Sequence, residues 1–286
     1  LEVILVDDGS TDGSADIAEA YGDEKLTVIR THNGGACRAR NLGIRAAKGD
    51  YYQFIDADDQ LKANKIELQM NALTTSDDHR AVAYGPWWEF FAGLENLKSG
   101  FSEGRTFQNS MEWLFASLQE GFYLPPHCWL VPACVVQSAG AWDERLMQNQ
   151  DGEYFSRILQ SASSAIWVAD AVAYYRSGQA DSISSRTGRE YTESLLLAAN
   201  LICSRMLSYA GEHSARRMIP SVLYLRILYR TAPSDYQMIK QIWDEIDKLG
   251  LPSRAVPMGG GRFNLMKMFL GWRLAFKAKH YRSVHL

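Results

Sequence analysis

Cysteine is scarce in this sequence and forms none of the patterns that bind zinc. The four cysteines among 286 residues are scattered and include no CxxC pair: Cys37, Cys128, Cys134 and Cys203. A disulfide framework or a structural zinc site needs more closely spaced ligands. We therefore expect free thiols that are buried as small apolar side chains, in a reducing compartment.

Long apolar runs and the common phosphate-binding motifs are missing as well. No stretch of the sequence approaches the ~20 apolar residues that span a bilayer. Neither GxGxxG nor GxxxxGK followed by Ser or Thr occurs, which removes the main signatures of dinucleotide oxidoreductases and P-loop NTPases. With 47% hydrophobic and 22% charged residues, the composition is typical of a folded globular chain.

Charge is divided unevenly along the chain. The overall net charge is −3, but residues 1–185 carry −12 and residues 186–286 carry +9. An acidic first part suits a cation-dependent site, and a basic second part suits an anionic partner. Two solvated surfaces of opposite sign would give the same asymmetry.

Apolar runs at the start of the chain alternate with segments of helical spacing. Strands are predicted at 1–6, 26–30 and 51–55, and helices at 15–21 and 36–47, which indicates an α/β fold with a mostly parallel sheet flanked by helices. Further helices are predicted at 61–73 and 108–120. Beyond residue 186 only helices are predicted, at 191–209, 215–230 and 234–249, the last with Ser234 as its N-cap. We therefore divide the chain into an α/β catalytic domain, 1–185, and a helical C-terminal region, 186–286.

Acidic residues follow two of the predicted strands, where open parallel sheets bind ligands. Asp7 and Asp8 end the first strand, and Asp56 and Asp58 follow the third. Two carboxylates separated by one small residue can supply oxygen ligands to Mg²⁺ or Mn²⁺. Aspartate at such positions also caps the next helix, and Asp59 suits that role.

Taken in order, several segments strongly resemble the N-terminal half of family 2 glycosyltransferases, which have the GT-A fold. The segments are VDDGSTDGS at 6–14, NGG at 33–35, ARNLG at 39–43, AKGDY at 47–51 and FIDADD at 54–59. GAWDE at 140–144 and QDGE at 150–153 look like the acceptor-side segment of the family. The sequence begins at what matches the second strand of the family, so we expect the first strand to be missing.

The resemblance implies a role for each matching residue. Asp7 and Asp8 would belong to the nucleotide pocket, and Arg40 would contact phosphate. Asp56 and Asp58 match the DxD pair, which would place Asp56 at the nucleotide sugar and both carboxylates on Mn²⁺ or Mg²⁺. Asp151 matches the general base, and Glu153 would be a supporting carboxylate. As alternatives, Asp151 suits a helix N-cap and Arg40 suits a surface ion pair.

The resemblance implies an inverting glycosyltransferase, which moves a sugar from a nucleotide-diphosphate sugar to an acceptor hydroxyl. The favoured donor is a UDP-sugar, and the acceptor is a sugar or a glycolipid. The implied setting is surface polysaccharide or glycolipid assembly. The QxxRW motif of processive synthases is absent. A nucleotidyltransferase and a non-catalytic sugar-nucleotide-binding domain remain alternatives. We expect a cytoplasmic protein, peripheral on the inner face of a membrane, and no nucleic-acid partner.

Two aromatic-rich segments leave their roles open. The run 87–91, WWEFF, suits either stacking on an acceptor sugar or core packing. Residues 254–286 are basic and apolar, with no acidic residue, which resembles an anchor on anionic lipid. Their apolar positions cover more than half of a helical wheel, so packing on the rest of the chain is an equal alternative.

Overall fold

A computed structural model of the chain describes residues 1–178, 186–212, 214–231 and 234–284. Its strands are β1 (Val3–Asp7), β2 (Leu26–Arg30), β3 (Tyr51–Tyr52), β4 (Gln60–Leu61), β5 (Val82–Tyr84), β6 (Trp87–Phe90), β7 (Lys98–Phe101), β8 (Trp129–Pro132), β9 (Ala165–Trp167) and β10 (Ala173–Arg176). Its helices are α1 (Ser14–Ala20), α2 (Ala36–Ala46), α3 (Lys65–Thr75), α4 (Ser110–Glu120), α5 (Ala133–Ala139), α6 (Gln150–Ser161), α7 (Arg189–Ala210), α8 (Ser214–Arg217), α9 (Ser221–Arg230), α10 (Tyr236–Leu249) and α11 (Gly261–Val284).

The strands pair in a mixed pattern. β1 and β2 form a parallel pair, and two four-stranded sheets have the orders β4-β10-β6-β7 and β3-β8-β5-β9. The α/β class with a helical C-terminal region is confirmed. The expectation of a mostly parallel sheet is not, since four of the seven pairings between described strands are antiparallel. A short apolar run indicates that a strand is buried but does not encode its direction.

Several element boundaries differ from the predicted ones for identifiable reasons. β3 stops at Tyr52 instead of continuing to residue 55. The helix predicted at 61–73 begins at Lys65, because β4 pairs with β10 before it. The helix predicted at 215–230 is broken into α8 and α9 just before Pro220, whose ring disfavours a continuous helix.

The N-caps of two helices are worth noting. Gly13, in the left-handed conformation, is the N-cap of α1. Asp235, not Ser234, caps α10: its side chain accepts a hydrogen bond of 3.1 Å from the backbone N–H of Met238. Serine and aspartate are both favoured as N-caps, so the residue types alone could not show which of these two neighbours begins the helix.

Three of the four cysteines fit the expectation of buried free thiols. Cys37, Cys128 and Cys203 are buried, but Cys134 is exposed on α5, which corrects the prediction for that residue. Burial raises the pKa of the Cys37 thiol to about 12, so it is protonated and a poor nucleophile at neutral pH.

The helical C-terminal region shares one hydrophobic core with the α/β part. The largest cluster of buried side chains includes Trp129 and Phe155 from the first part and Ile202 and Leu228 from α7 and α9. The boundary predicted near residue 185 lies beside 179–185, outside the described residues, and the division into two domains stays a prediction. The shared core means that α7 and α9 help to wall the site described next.

Candidate active site

Four of the predicted site residues line one large cavity. Asp56 and Asp58 lie in the loop between β3 and β4, Arg40 lies on α2, and Asp151 is the second residue of α6. The cavity has a volume of about 1170 Å³. This exceeds the ~300–1,000 Å³ that usually holds one small ligand, so there is room for a donor and an acceptor together.

Arg40 joins the DxD loop to the start of α6. Its Nη2 lies 2.7 Å from Oδ1 of Asp56, and its Nη1 lies 3.4 Å from Oδ1 of Asp151. The guanidinium also lies 4.5 Å from the ring centroid of Trp142. A largely buried charge is favourable only when it has close partners, and Arg40 meets that condition with two carboxylates and an aromatic face. The surface ion pair considered for Arg40 is thus replaced by one whose guanidinium is largely buried and whose carboxylates are partly exposed.

Asn41, the neighbour of Arg40 on α2, fixes the segment that precedes α6. Its side-chain amide donates a 3.0 Å hydrogen bond to the carbonyl of Trp142 and accepts one of 2.7 Å from the Trp142 backbone N–H. Trp142 in turn stacks on Tyr154 of α6, with ring centroids 4.0 Å apart. Sequence reasoning missed this role of Asn41. A signal was available, because asparagine has low helix propensity and here occupies the middle of a helix.

A buried contact between a carboxylate and an imidazole supports the DxD loop from beneath. Oδ2 of Asp59 lies 2.7 Å from Nδ1 of His127, and both side chains are fully buried. The other oxygen of Asp59 accepts a 2.9 Å hydrogen bond from the backbone N–H of Arg176, whose Nε donates to the carbonyl of Asp58. Asp59 is therefore not the helix cap that the sequence suggested. It holds the loop so that Asp56 and Asp58 face the cavity.

The cavity environment shifts the protonation of two of its carboxyl groups. Burial raises the pKa of Asp58, and the negative charge of Asp59 raises it further. Burial also raises the pKa of Asp151, an effect that the positive charge of Arg40 opposes and the negative charge of Asp56 reinforces. A cation bound near Asp58 would lower the pKa of that carboxyl group again. A raised pKa makes the Asp151 carboxylate a stronger base, which suits a proton acceptor.

Asp7 and Asp8 do not line the cavity. Both carboxylate oxygens of Asp8 accept backbone hydrogen bonds across the loop after β2, from the N–H of Gly34 at 2.9 Å and of Gly35 at 2.7 Å. Asp7 is buried and accepts a 3.2 Å hydrogen bond from the N–H of Ser10. The contacts of Asp8 tie two loops together at the start of α2. Nucleotide binding by Asp7 and Asp8 stays a prediction.

Glu153 does not line the cavity either, although it lies only two residues after Asp151. Its buried carboxylate lies 2.8 Å from Nη2 of Arg157 and 2.7 Å from Nη2 of Arg205. This cluster connects α6 to α7. Two residues along a helix turn a side chain by about 200°, so Asp151 and Glu153 face opposite sides. A supporting catalytic role for Glu153 stays a prediction, and its contacts are those of a structural ion pair.

Asp56 and Asp58, the DxD pair, suit a divalent cation whose remaining ligands are water and the phosphate oxygens of a substrate. The carboxylate of Asp58 has no ion pair with, or hydrogen bond from, another side chain among the described residues, and Arg40 contacts Oδ1 of Asp56. No group of three or more His, Cys, Asp or Glu side chains in the described part of the chain is arranged to hold a metal. Mg²⁺ typically takes one or two carboxylates and completes its shell with water and phosphate oxygens, which is what this pair allows.

Comparison with known sequences confirms the resemblance over the first part of the chain. Residues 1–127 match the sequence profile described as glycosyl transferase family 2. An uncharacterized glycosyltransferase of Rickettsia typhi is 30% identical over 167 residues, 57% of this chain and 51% of that protein. The glycosyltransferase GlyG of Streptococcus pneumoniae is 49% identical over 80 residues, 27% of each chain. The chain thus spans about half or less of these relatives.

Comparison with solved structures supplies the fold. S. aureus TarS 1–349 in complex with UDP-GlcNAc superposes with a TM-score of 0.66 at 16% identity, covering 99% of this chain and 82% of that one. The same protein in complex with UDP gives 0.64. The likeness confirms the GT-A-type fold, and at this level of identity it shows the fold alone.

The Glu153 cluster generates a prediction about stability. Replacing Glu153 by Gln leaves Arg157 and Arg205 partly buried without a counter-charge, so we expect the free energy of unfolding to fall by about 3–5 kcal/mol. Urea denaturation followed by circular dichroism measures this change. The matched control is Glu193→Gln on α7, whose pairing with Arg189 is exposed and is expected to contribute less than about 1 kcal/mol. Unchanged stability with lost turnover in the Glu153 variant would instead support the catalytic role.

Proposed function

We propose that this chain, whose residues 1–127 belong to glycosyltransferase family 2, is an inverting transferase that moves a sugar from a nucleotide-diphosphate sugar to an acceptor hydroxyl. The observation that carries the proposal is the convergence of Asp56, Asp58 and Asp151 on one cavity, with Arg40 between Asp56 and Asp151. A UDP-sugar is the favoured donor, because a structural neighbour binds UDP-GlcNAc. Surface polysaccharide or glycolipid assembly is the proposed setting.

The chemistry assigned to the chain is a single displacement. The Asp151 carboxylate accepts the proton of an acceptor hydroxyl as its oxygen attacks the anomeric carbon of the donor sugar. The bond from that carbon to the diphosphate breaks with the electron pair leaving on the diphosphate oxygen. Attack opposite the leaving group inverts the anomeric centre. Mn²⁺ or Mg²⁺ held by Asp56 and Asp58 would stabilise the charge of the leaving group.

Two other functions make different predictions for the product. A nucleotidyltransferase would release pyrophosphate, whereas a glycosyltransferase releases a nucleoside diphosphate. A non-catalytic binding domain would bind the donor without releasing either. The raised pKa of Asp151 favours the transferase, because a binding domain has no need of a partly buried carboxylate with a raised pKa beside the donor site.

A peripheral membrane location is proposed from the exposed side chains of α11, which is interrupted at Gly271 (φ 80°, ψ 168°). Phe263, Trp272 and Phe276 are buried in the main hydrophobic core, which agrees with the alternative of a packed tail. Five apolar side chains on the two halves of α11 are exposed: Leu265, Met268, Phe269, Leu270 and Leu274. Basic residues exposed beside them, such as Arg262 and Lys277, favour an anionic lipid surface. Within the described residues, no helix is both long and apolar enough to cross a bilayer.

The first functional prediction concerns the metal. We expect Asp58→Ala to abolish the increase in donor affinity that Mn²⁺ produces, because one of two carboxylate ligands is lost. Isothermal titration calorimetry with UDP, with and without Mn²⁺, measures the effect. Asp170→Ala, an exposed aspartate outside the cavity, is the matched control and should behave as the parent. Equal stimulation by Mn²⁺ in the Asp58 variant would remove the DxD assignment.

The second functional prediction concerns pH. Asp151 accepts a proton only when ionised, so kcat/KM should fall as the pH drops through its raised pKa. Replacing Arg40 by Gln removes the charge that opposes this rise. We therefore expect the acid limb of the profile to move to higher pH in Arg40→Gln, and to move less in Arg40→Lys, which keeps the charge.

Asp151→Asn tests the same assignment without reference to pH. An amide cannot accept the proton, so turnover should fall by about 10²- to 10⁴-fold while UDP affinity is retained. Single-turnover measurement of nucleoside diphosphate release gives the rate. Turnover within about threefold of the parent would transfer the role of base to Glu153, or to Asp143 or Glu144.

The membrane prediction requires point variants, because truncation before residue 253 would also remove the buried face of α11. We expect the protein to co-sediment with vesicles containing anionic lipid at low salt and to dissociate as salt increases, with each nearby Lys or Arg contributing about 1 kcal/mol. The double variant Phe269→Ser, Leu270→Ser should stay in the supernatant. Ile17→Ser, an equally exposed apolar residue on α1, is the control. Equal recovery of the parent with anionic and neutral vesicles would exclude the anchor.

A further inference from the structure

The segment that leads into α6 is held from α7. Ser194 is buried on α7, and its Oγ accepts two backbone hydrogen bonds from that segment. They come from the N–H of Met147 at 2.8 Å and from the N–H of Gln148 at 3.1 Å. We call residues 147–149 the entry turn. The proposed base, Asp151, lies two residues beyond this turn, so the path of the turn decides where its carboxylate points.

The entry turn ends in a backbone conformation that most residues avoid. Asn149 has φ 54° and ψ 26°, in the left-handed region. Among the non-glycine residues that the structure describes, only Asp77, between α3 and β5, shares a positive φ. A Cβ disfavours this region, and such a conformation persists where the surrounding structure enforces it. Just beyond Asn149, the carboxylate of Asp151 lines the cavity, 3.4 Å from Nη1 of Arg40.

The conformation of Asn149 is enforced by α7, which holds the chain on both sides of it. Ser194 fixes the backbone before Asn149, and Arg205 fixes α6 after it through the carboxylate of Glu153, at 2.7 Å. Ser194 and Arg205 are 11 residues apart, close to three helical turns, so both lie on the same face of α7. Any other conformation at Asn149 would break one of these two attachments or turn the start of α6 away from the cavity.

We propose that Ser194 and Asn149 are positioning residues, and that the entry turn that they hold directs the Asp151 carboxylate into the cavity. The inference rests on the proposed function, which makes Asp151 the base. A small displacement of a base lowers the rate of proton transfer much more than it weakens donor binding. Loss of the turn should therefore reduce kcat out of proportion to any loss of stability.

The first test compares two residues that share a backbone conformation but lie at different sites. Asn149→Val disfavours the left-handed region, so kcat should fall by at least about tenfold while the KM for the donor stays unchanged. Asp77→Val creates the same conflict on an exposed loop outside the cavity. It should lower the melting temperature by a similar amount and leave kcat unchanged. Asn149→Gly, which adopts the left-handed region freely, should keep kcat within about threefold of the parent. A parental kcat in Asn149→Val, or an equal loss in the Asp77 or the glycine variant, would overturn the role of the turn.

The second test removes the attachment to α7. Ser194→Ala leaves the N–H groups of the entry turn without their acceptor, so kcat should fall by at least about tenfold. Ser110→Ala is the matched control, because this buried serine also makes two hydrogen bonds to backbone groups, at the C-terminal end of α6. It should cost similar stability and leave kcat unchanged. In the Asp151→Asn background Ser194→Ala should lower turnover no further, and an additive loss would overturn the proposal.

A measurement without turnover separates this inference from the proposed function. The NMR signal of the Asp151 carboxyl carbon can be assigned by its loss in Asp151→Asn. It should shift in Asn149→Val and Ser194→Ala and stay unchanged in Asp77→Val and Ser110→Ala. If these shifts occur while no donor supports nucleoside diphosphate release, the proposed function fails and the positioning stands. If turnover depends on Asp151 while neither its signal nor kcat changes in the Asn149 and Ser194 variants, the positioning fails alone.

Discussion

Repulsion among carboxylates that share one cavity is the constraint on which this site depends. Asp56, Asp58 and Asp151 all face the same partly desolvated space, where like charges interact more strongly than in water. Arg40 offsets part of that repulsion by contacting Asp56 and Asp151 at once. Burial raises the pKa of Asp151, and the negative charge of Asp56 adds to that effect while Arg40 opposes it. The pair Asp56 and Asp58 is thus able to attract a cation, and Asp151 is able to take a proton.

The position of Arg40 in turn depends on packing that brings distant parts of the chain together. Its guanidinium lies over Trp142, which stacks on Tyr154 and is held to α2 by two hydrogen bonds with the side chain of Asn41. Helices α2 and α6 and the segment around Trp142 that precedes α6 therefore act as one unit. On the opposite face of α6, the Glu153 cluster fixes that helix to α7. The geometry of the proposed base is thus set by contacts on both sides of its helix.

The sequence was sufficient for features that depend on local pattern, and insufficient for those that depend on tertiary partners. Both end residues of β2 were predicted correctly, because a short apolar run between polar residues can be assigned to a strand in only one position. Spacing after the strands placed Asp56 and Asp58, and the family resemblance placed Asp151. Neither could show that Asp59 pairs with His127 or that Glu153 pairs with Arg205, since those partners lie 68 and 52 residues away. The mixed pairing of the sheets was missed for the same reason.

The cavity carries opposite charges at its two ends, which bears on how an acceptor would enter it. Around Asp56, Asp58 and Asp151 the carboxylates outnumber the guanidinium groups of Arg40 and Arg176, whereas the wall of α9 carries Arg226 and Arg230. A ligand with an anionic group at one end and a hydroxyl at the other gains from placing the anion on α9 and the hydroxyl at Asp151. The reverse orientation would put phosphate against carboxylates and leave Arg226 without a counter-charge, so it is disfavoured twice. The charge distribution alone would thus deliver the reacting oxygen to the base, before any contact specific to the acceptor sugar is made.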